Sequence, residues 1–257
     1  MNNYLPAFQK QPASLFYSCH MLRSTFKNTL LLSLPLIISN VAQVGLGLID
    51  SAMVGAISYQ QLAASGLVIN AIGIPQVICI GMTIAITAEV SIARGKNDAH
   101  AASRYFYNGT ILATLVSVLI AALCTLATPL LSHIGQAPEV ASIAKPYFIV
   151  MAWGLVPMTF FLSLKQFSDA LEFTKTGMLL ALLSLPLNAF LNWVLIYGHF
   201  GLPRWELFGA GVATLLSRVI VALVLLAIIM RHKAYAVYVS LRHKAWHLHK
   251  SSLRDLL

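Results

Sequence analysis

An all-α integral membrane fold of six spans is predicted by three features of the sequence. Hydrophobic residues make up 58% of the 257-residue chain, charged residues only 10%, and the mean hydropathy is +0.78. A soluble domain carries about 25% charged residues. The apolar residues gather into six runs, each near the roughly 20 residues that a helix needs to cross a bilayer. Lys and Arg then alternate between the connecting segments, rich in one and nearly absent from the next.

The first run, 29–54, contains Asp50, an acidic residue well inside an apolar run and the only one so placed. A carboxylate there costs roughly 2.5–3.5 kcal/mol on insertion scales, and an intramembrane acid is a functional-site candidate by default. Asn40, Gln43, Gly47 and Asp50 recur at spacings of three, four and three, which is one helix face. Hydrocarbon satisfies no polar group, so this face must meet other helices or water. Gly45 and Gly47 allow another helix or a ligand to approach closely. The second run, 62–88, carries Asn70, Gln76, Thr83 and Thr87, more dispersed. The third and fourth runs cover 109–131 and 146–164. In the fifth, 177–198, Ser184, Asn188 and Asn192 are four apart and share a face. The sixth, 208–230, adds Gly211, Thr214 and Arg218. Prolines at 35, 75, 157 and 186 remove helix hydrogen bonds inside four of the runs. Pro35 and Pro186 are the expected kinks in the two helices that bear the acid and the asparagines.

Charge gives the orientation. Lys10, Arg23 and Lys27 precede the first run, and Arg94, Lys96 and Arg104 lie between the second and third. Lys165 and Lys175 lie between the fourth and fifth, and six more follow the last run. The opposite side has Lys145 and Arg204, and Arg218 is left inside a span. The positive-inside rule places both termini in the cytoplasm. The net charge of +9 is therefore a topology signal, and no nucleic-acid partner is expected. Residues 1–28 read as a cytoplasmic tail without the apolar core and small-residue site of a signal peptide. Residues 232–257 read as a basic interfacial segment facing anionic lipid. Its His243, His247 and His249 have no acidic or cysteine partner nearby and read as solvated surface. Cys19, Cys79 and Cys124 lack metal-ligand spacing. Gly95-Lys96 lacks the glycine-rich loop of a nucleotide site, so neither an enzyme nor a cofactor is expected. The expected location is the plasma membrane, as a multi-pass protein, or the inner membrane of a Gram-negative cell.

The polar faces of runs one, five and six point to a shared interior. A carboxylate without bulk water gains from taking up a proton or a cation. Asparagine oxygens can meet a bare cation, and asparagine NH₂ groups can hold a carboxylate. Asp50 with Asn188 and Asn192 is thus the expected proton or cation site, with Na⁺ the one candidate metal. Asn40, Gln43, Thr214 and Arg218 are the expected cavity lining. Arg218 either faces that cavity and opposes a cation, or turns aside to backbone carbonyls.

The stretch Pro35-Leu-Ile-Ile-Ser-Asn-Val-Ala-Gln43, followed by Gly47-Leu-Ile-Asp50-Ser-Ala-Met-Val-Gly55, resembles the first helix of multidrug and toxic compound extrusion (MATE) transporters of the NorM-type branch. So does Leu187-Asn188-Ala-Phe-Leu-Asn192-Trp-Val-Leu-Ile-Tyr-Gly198-His-Phe-Gly201-Leu-Pro203, which leads into Gly209-Ala-Gly211-Val-Ala-Thr214. Thr174-Lys175 before the fifth run also fits, and the similarity covers residues 28–231. The resemblance implies one six-helix lobe of a two-lobe transporter that exports small organic cations in exchange for Na⁺ or H⁺. It implies Asp50 as the first-helix acid, with Asn188 and Asn192 beside it. Thr214 and Tyr147 match positions that line the lobe in some relatives. Asn192 stands where one branch of the family has an acid, which weakens a two-carboxylate proton relay.

Such transporters have twelve spans in two similar lobes, and this sequence has six. Its last residues, Ser252-Leu-Arg-Asp-Leu-Leu257, resemble the approach to the first span, Phe26-Lys-Asn-Thr-Leu-Leu31. Three expectations follow: a piece of a longer transporter, a half that joins a separately encoded second half, or a homodimer with parallel lobes. The competing functions are a lipid or polysaccharide flippase of the same superfamily and a non-transporting, regulatory half.

Overall fold

A computed structural model describes residues 13–133 and 137–240. The histidines at 243, 247 and 249 and the lobe-boundary motif at 252–257 lie outside the described residues, as does the start of the N-terminal tail. Every apolar run becomes a helix: α1 (Ala13–Gly55), α2 (Tyr59–Gly95), α3 (Ala99–Ala127), α4 (Pro138–Trp153), α5 (Leu155–Ala170), α6 (Thr174–Tyr197) and α7 (Glu206–Arg231). A short α8 (Ala236–Ser240) follows. Helices α4 and α5 are the two halves of one span, so six spans are long and apolar enough to cross a membrane. No strand occurs among the described residues.

Local chemistry fixes the helix ends. The Ser58 hydroxyl accepts from the Gln61 N–H at 3.3 Å and starts α2. The Asp98 carboxylate accepts from the Ala101 N–H at 2.9 Å and starts α3. At the end of α6, Gly198 takes the left-handed conformation at φ 74°, where a Cβ would fall 2.7 Å from the Leu202 carbonyl oxygen. Gln61 ties two distant helices together. Its side-chain oxygen accepts from the Leu207 N–H at 2.8 Å, and its amide donates to Glu206. A donor at the first turn of α7 is thereby satisfied from α2.

Helices α1, α2, α4 and α6 continue through Pro35, Pro75, Pro146 and Pro186. The interruption of regular helix falls at Gly154, three residues before Pro157. Proline has no N–H to offer the carbonyl four residues earlier, and a glycine beside that carbonyl has little helix propensity.

Helices also overrun the apolar runs, which corrects one sequence reading. Lys165, expected as a loop charge, is buried within α5 and pairs with Asp169 at 2.8 Å. Asp169 lies beyond the fourth apolar run, one residue from the end of α5. Neutralisation at i,i+4 spacing lets the helix continue where hydropathy falls. Arg94 in the last turn of α2 pairs with Glu172 at 3.1 Å and donates to the Ala170 carbonyl at 3.2 Å. In the described part of the basic interfacial segment after α7, Tyr235 is buried against the lobe and its neighbours are exposed or half-exposed. Tyr235 is 2% exposed, its hydroxyl donates to the Ser168 oxygen at 3.2 Å, and its ring meets Phe173 edge-on. Ser103 donates to the Tyr238 carbonyl at 2.9 Å.

Helices α6 and α7 pack most extensively on each other, α1 leans on α6, and α2 packs on α3, α4 and α5. One apolar cluster, including Val54, Val68, Phe148, Leu155 and Leu207, closes the Asp50 end of the bundle. A second, including Ile86, Phe106, Leu164, Phe167 and Leu225, fills the other. Asp50 and Arg218 are left on the inner faces of α1 and α7.

Candidate functional site

Asp50 lies five residues before the end of α1, opposite the corresponding level of α6 and α7. Four side chains there form a closed ring of hydrogen bonds. The Asn192 amide donates to Asp50 Oδ1 at 2.6 Å and to Asn188 Oδ1 at 3.1 Å. Asn188 donates to the Thr214 hydroxyl at 3.3 Å, and Thr214 donates to Asp50 Oδ2 at 3.0 Å. Asn188 and Asn192 are fully buried, Thr214 nearly so, and Asp50 is half-buried.

Small residues make the ring possible. A Cβ on Gly209 would stand 2.6 Å from the Leu195 carbonyl oxygen, so only glycine allows α7 this close to α6. A Cβ on Gly211 would stand 2.9 Å from the Tyr147 ring. These approaches carry Thr214 within reach of a carboxylate on α1. The periodicity of α6 supplies the rest, because Asn188 and Asn192 are one turn apart on the face toward α1.

The ring presents the ionised carboxylate with a donor on each oxygen. A proton on either oxygen takes one of its lone pairs and weakens it as an acceptor for Thr214 or Asn192. One acceptor stays unused: Asn192 Oδ1 is buried without a hydrogen-bond partner. A carboxylate beside a free amide oxygen is a donor set for a hard cation. No cluster of three His, Cys, Asp or Glu residues suited to a metal occurs among the described residues.

The remaining sequence candidates fall in different places. Gln43 and Arg218 line a cavity deeper in the bundle together with Gln76 and Ser184. Arg218 also donates to the Gly154 carbonyl at 3.0 Å, the backbone alternative of the sequence reading, and Asp50 is not among the residues lining its cavity. Tyr147 is buried against Gly211 and bounds the ring rather than joining it. Asn40 is exposed on α1 and does not line the cavity. Pro35 and Pro186 lie inside α1 and α6, without ending either helix. Sequence reading missed Gln61 and the Lys165–Asp169 pair. The i,i+4 spacing of the latter was a usable signal; the partner of Gln61 is 145 residues away and left none.

Comparison with known proteins gives a consistent picture. A family model described as MatE matches residues 35–194. A probable multidrug resistance protein NorM of Bradyrhizobium diazoefficiens is 30% identical over 236 residues, which are 92% of this chain and 50% of that protein. The multidrug resistance protein NorM of Vibrio cholerae is 30% identical over 218 residues, 84% of this chain and 48% of that protein. The crystal structure of MATE in complex with MaL6 superposes with a TM-score of 0.78 at 23% identity, covering 88% of this chain and 49% of that one. The chain thus spans about half the length of the relatives it matches.

Proposed function

Because the chain belongs to the MatE family of multidrug efflux transporters, we propose that it forms the ion-coupled lobe of a multidrug antiporter. It exports small organic cations in exchange for Na⁺ or H⁺, with Asp50 as the exchange site and Asn188, Asn192 and Thr214 as its partners. The observation that carries this reading is the ring itself. Asp50 is tied to α6 and α7 by hydrogen bonds that depend on its ionisation state. Uptake of a proton or cation at Asp50 changes what holds α1 to α6 and α7, and a change in helix packing follows. Asn192 Oδ1 supplies the further oxygen that Na⁺ would use. No cofactor takes part.

The lobe works against a second six-helix lobe. Asn40, Gln43 and Asn70 are exposed within the spans of α1 and α2. Amides in the hydrocarbon region need a protein or aqueous surface to face. The site of action is the plasma membrane.

The test is ethidium efflux from proteoliposomes under an imposed Na⁺ or pH gradient. Asp50→Asn preserves the size of the side chain and removes the charge. It is expected to abolish gradient dependence while circular dichroism stays unchanged. Gradient-driven efflux at the wild-type rate in Asp50→Asn would overturn the reading.

A further inference from the structure

The deeper cavity has a polarity opposite to that of Asp50. It measures about 130 Å³, room for about four water molecules or one small ring system. Its polar lining is Arg218 with Gln43, Gln76 and Ser184, and its apolar wall includes Met158 and Phe161. No acidic side chain lines it. The carboxylate of Asp50 lies on the same α1 face seven residues beyond Gln43, about 10 Å along the helix. Both Asp50 oxygens are engaged by Asn192 and Thr214. Among the described residues the only ion pairs are Arg94–Glu172 and Lys165–Asp169, so the Arg218 guanidinium has no carboxylate at ion-pair distance.

A guanidinium carries five N–H donors in a planar fork that fits a carboxylate or phosphate. Arg218 spends one of its two terminal nitrogens on the Gly154 carbonyl, at the break between α4 and α5. A neutral donor would serve that carbonyl equally well. Asp50 acts on Arg218 through space without pairing with it, so the guanidinium keeps N–H donors for a ligand in the cavity. A cation entering this cavity would meet repulsion, and an anion would meet the guanidinium plus two amides and a hydroxyl.

We infer that the Arg218 cavity binds the anionic group of an amphiphilic ligand, with the aromatic or aliphatic body against Met158 and Phe161. The inference rests on the antiport reading for its biological role. It gives those exported molecules that carry an anionic group beside a positive charge a second point of attachment. The shared chemistry is a carboxylate or phosphate, from a small amphiphile or from a lipid headgroup.

Equilibrium dialysis against the protein in phosphatidylcholine nanodiscs tests it, with empty nanodiscs subtracted. The probes are 2-naphthoate, its methyl ester and 2-naphthylmethylamine, alike in shape and bearing negative, no and positive charge. Naphthoate is expected to bind at least about tenfold more tightly than the other two, the scale of one charge-assisted hydrogen bond. Arg218→Gln keeps a donor for the Gly154 carbonyl and should bring the preference below about threefold, and Arg218→Lys should restore part of it. Thermal unfolding shows that both variants are folded; if the glutamine variant is not, the lysine variant and the wild-type preference decide. Nanodiscs containing phosphatidylglycerol separate the sources. Competition with naphthoate that depends on Arg218 assigns the site to a lipid headgroup, and its absence assigns it to a small amphiphile. Equal binding of the three probes, no binding by any, or an unchanged preference in Arg218→Gln overturns the inference. The antiport reading fails separately, when gradients drive no flux although the naphthoate preference holds.

Discussion

Within the span formed by α4 and α5, Lys165 and Asp169 make an ion pair with both side chains nearly inaccessible, at 7% and 5% exposure. A second Asp169 oxygen, Oδ1, is buried without a hydrogen-bond partner. Breaking such a pair from one side strands the other charge, which costs about 3–5 kcal/mol. Replacing both members with apolar groups of similar volume is often neutral. Lys165→Met is therefore expected to lower the thermal midpoint strongly, and Lys165→Met with Asp169→Leu to recover most of the loss. A double-mutant cycle on purified protein measures the coupling, and additive losses would contradict it. Asp50 differs in kind, because its hydrogen-bond partners, Asn192 and Thr214, are neutral.

At the scale of helices, two contacts set the architecture. The first is the approach of α7 to α6 at Gly209, where a side chain would strike backbone. Backbone cannot rotate away, so Gly209→Ala must separate the helices at a cost of about 1–3 kcal/mol. It would also draw Thr214 off Asp50. Gly81 in α2 has open space around it, and Gly81→Ala serves as the matched control with no expected loss. Comparing the two thermal midpoints checks the claim; equal values would refute it. The second contact is Tyr235, outside the spans, where burial pushes the hydroxyl above its usual range and the Ser168 hydrogen bond partly opposes that rise. The unfolded chain ionises first, near pH 10. Stability from this residue is present below that pH and is lost as pH rises through the folded value. Tyr235→Phe should therefore flatten the alkaline fall of the thermal midpoint, and an unchanged slope would show that Tyr235 contributes nothing to it.

For the molecule as a whole, the decisive feature is an unequal distribution of burial. The α4–α5 span is the most buried of the six, whereas α1 and α2 expose most of their surface together with amides. Gly66 and Gly73 of α2 have open space where a side chain would stand. If that surface receives the second lobe, a bulky residue there blocks association without touching the lobe's own packing. Gly73→Trp is expected to leave the thermal midpoint of the lobe unchanged and to abolish cross-linking to a co-expressed second lobe. Cross-linking at the wild-type yield would place the interface elsewhere.

Six spans and the rank of Asp50 as the leading candidate could be read from the amino-acid order, because hydropathy and helical periodicity are local properties. The pairing of Asn188 with Asn192 was equally legible, since both sit on one helix. The ring could not be closed from sequence: it needs α1, α6 and α7 at one level, and glycine contacts set that level through space. The same holds for the opposed polarities of the two sites. Arg218 follows Thr214 by one turn, yet one reaches the carboxylate ring and the other lines a cavity free of acids. Local chain order decides which residues share a face, but only the packing of separate helices decides what that face meets, because electrostatic and hydrogen-bond energies depend on distance in space.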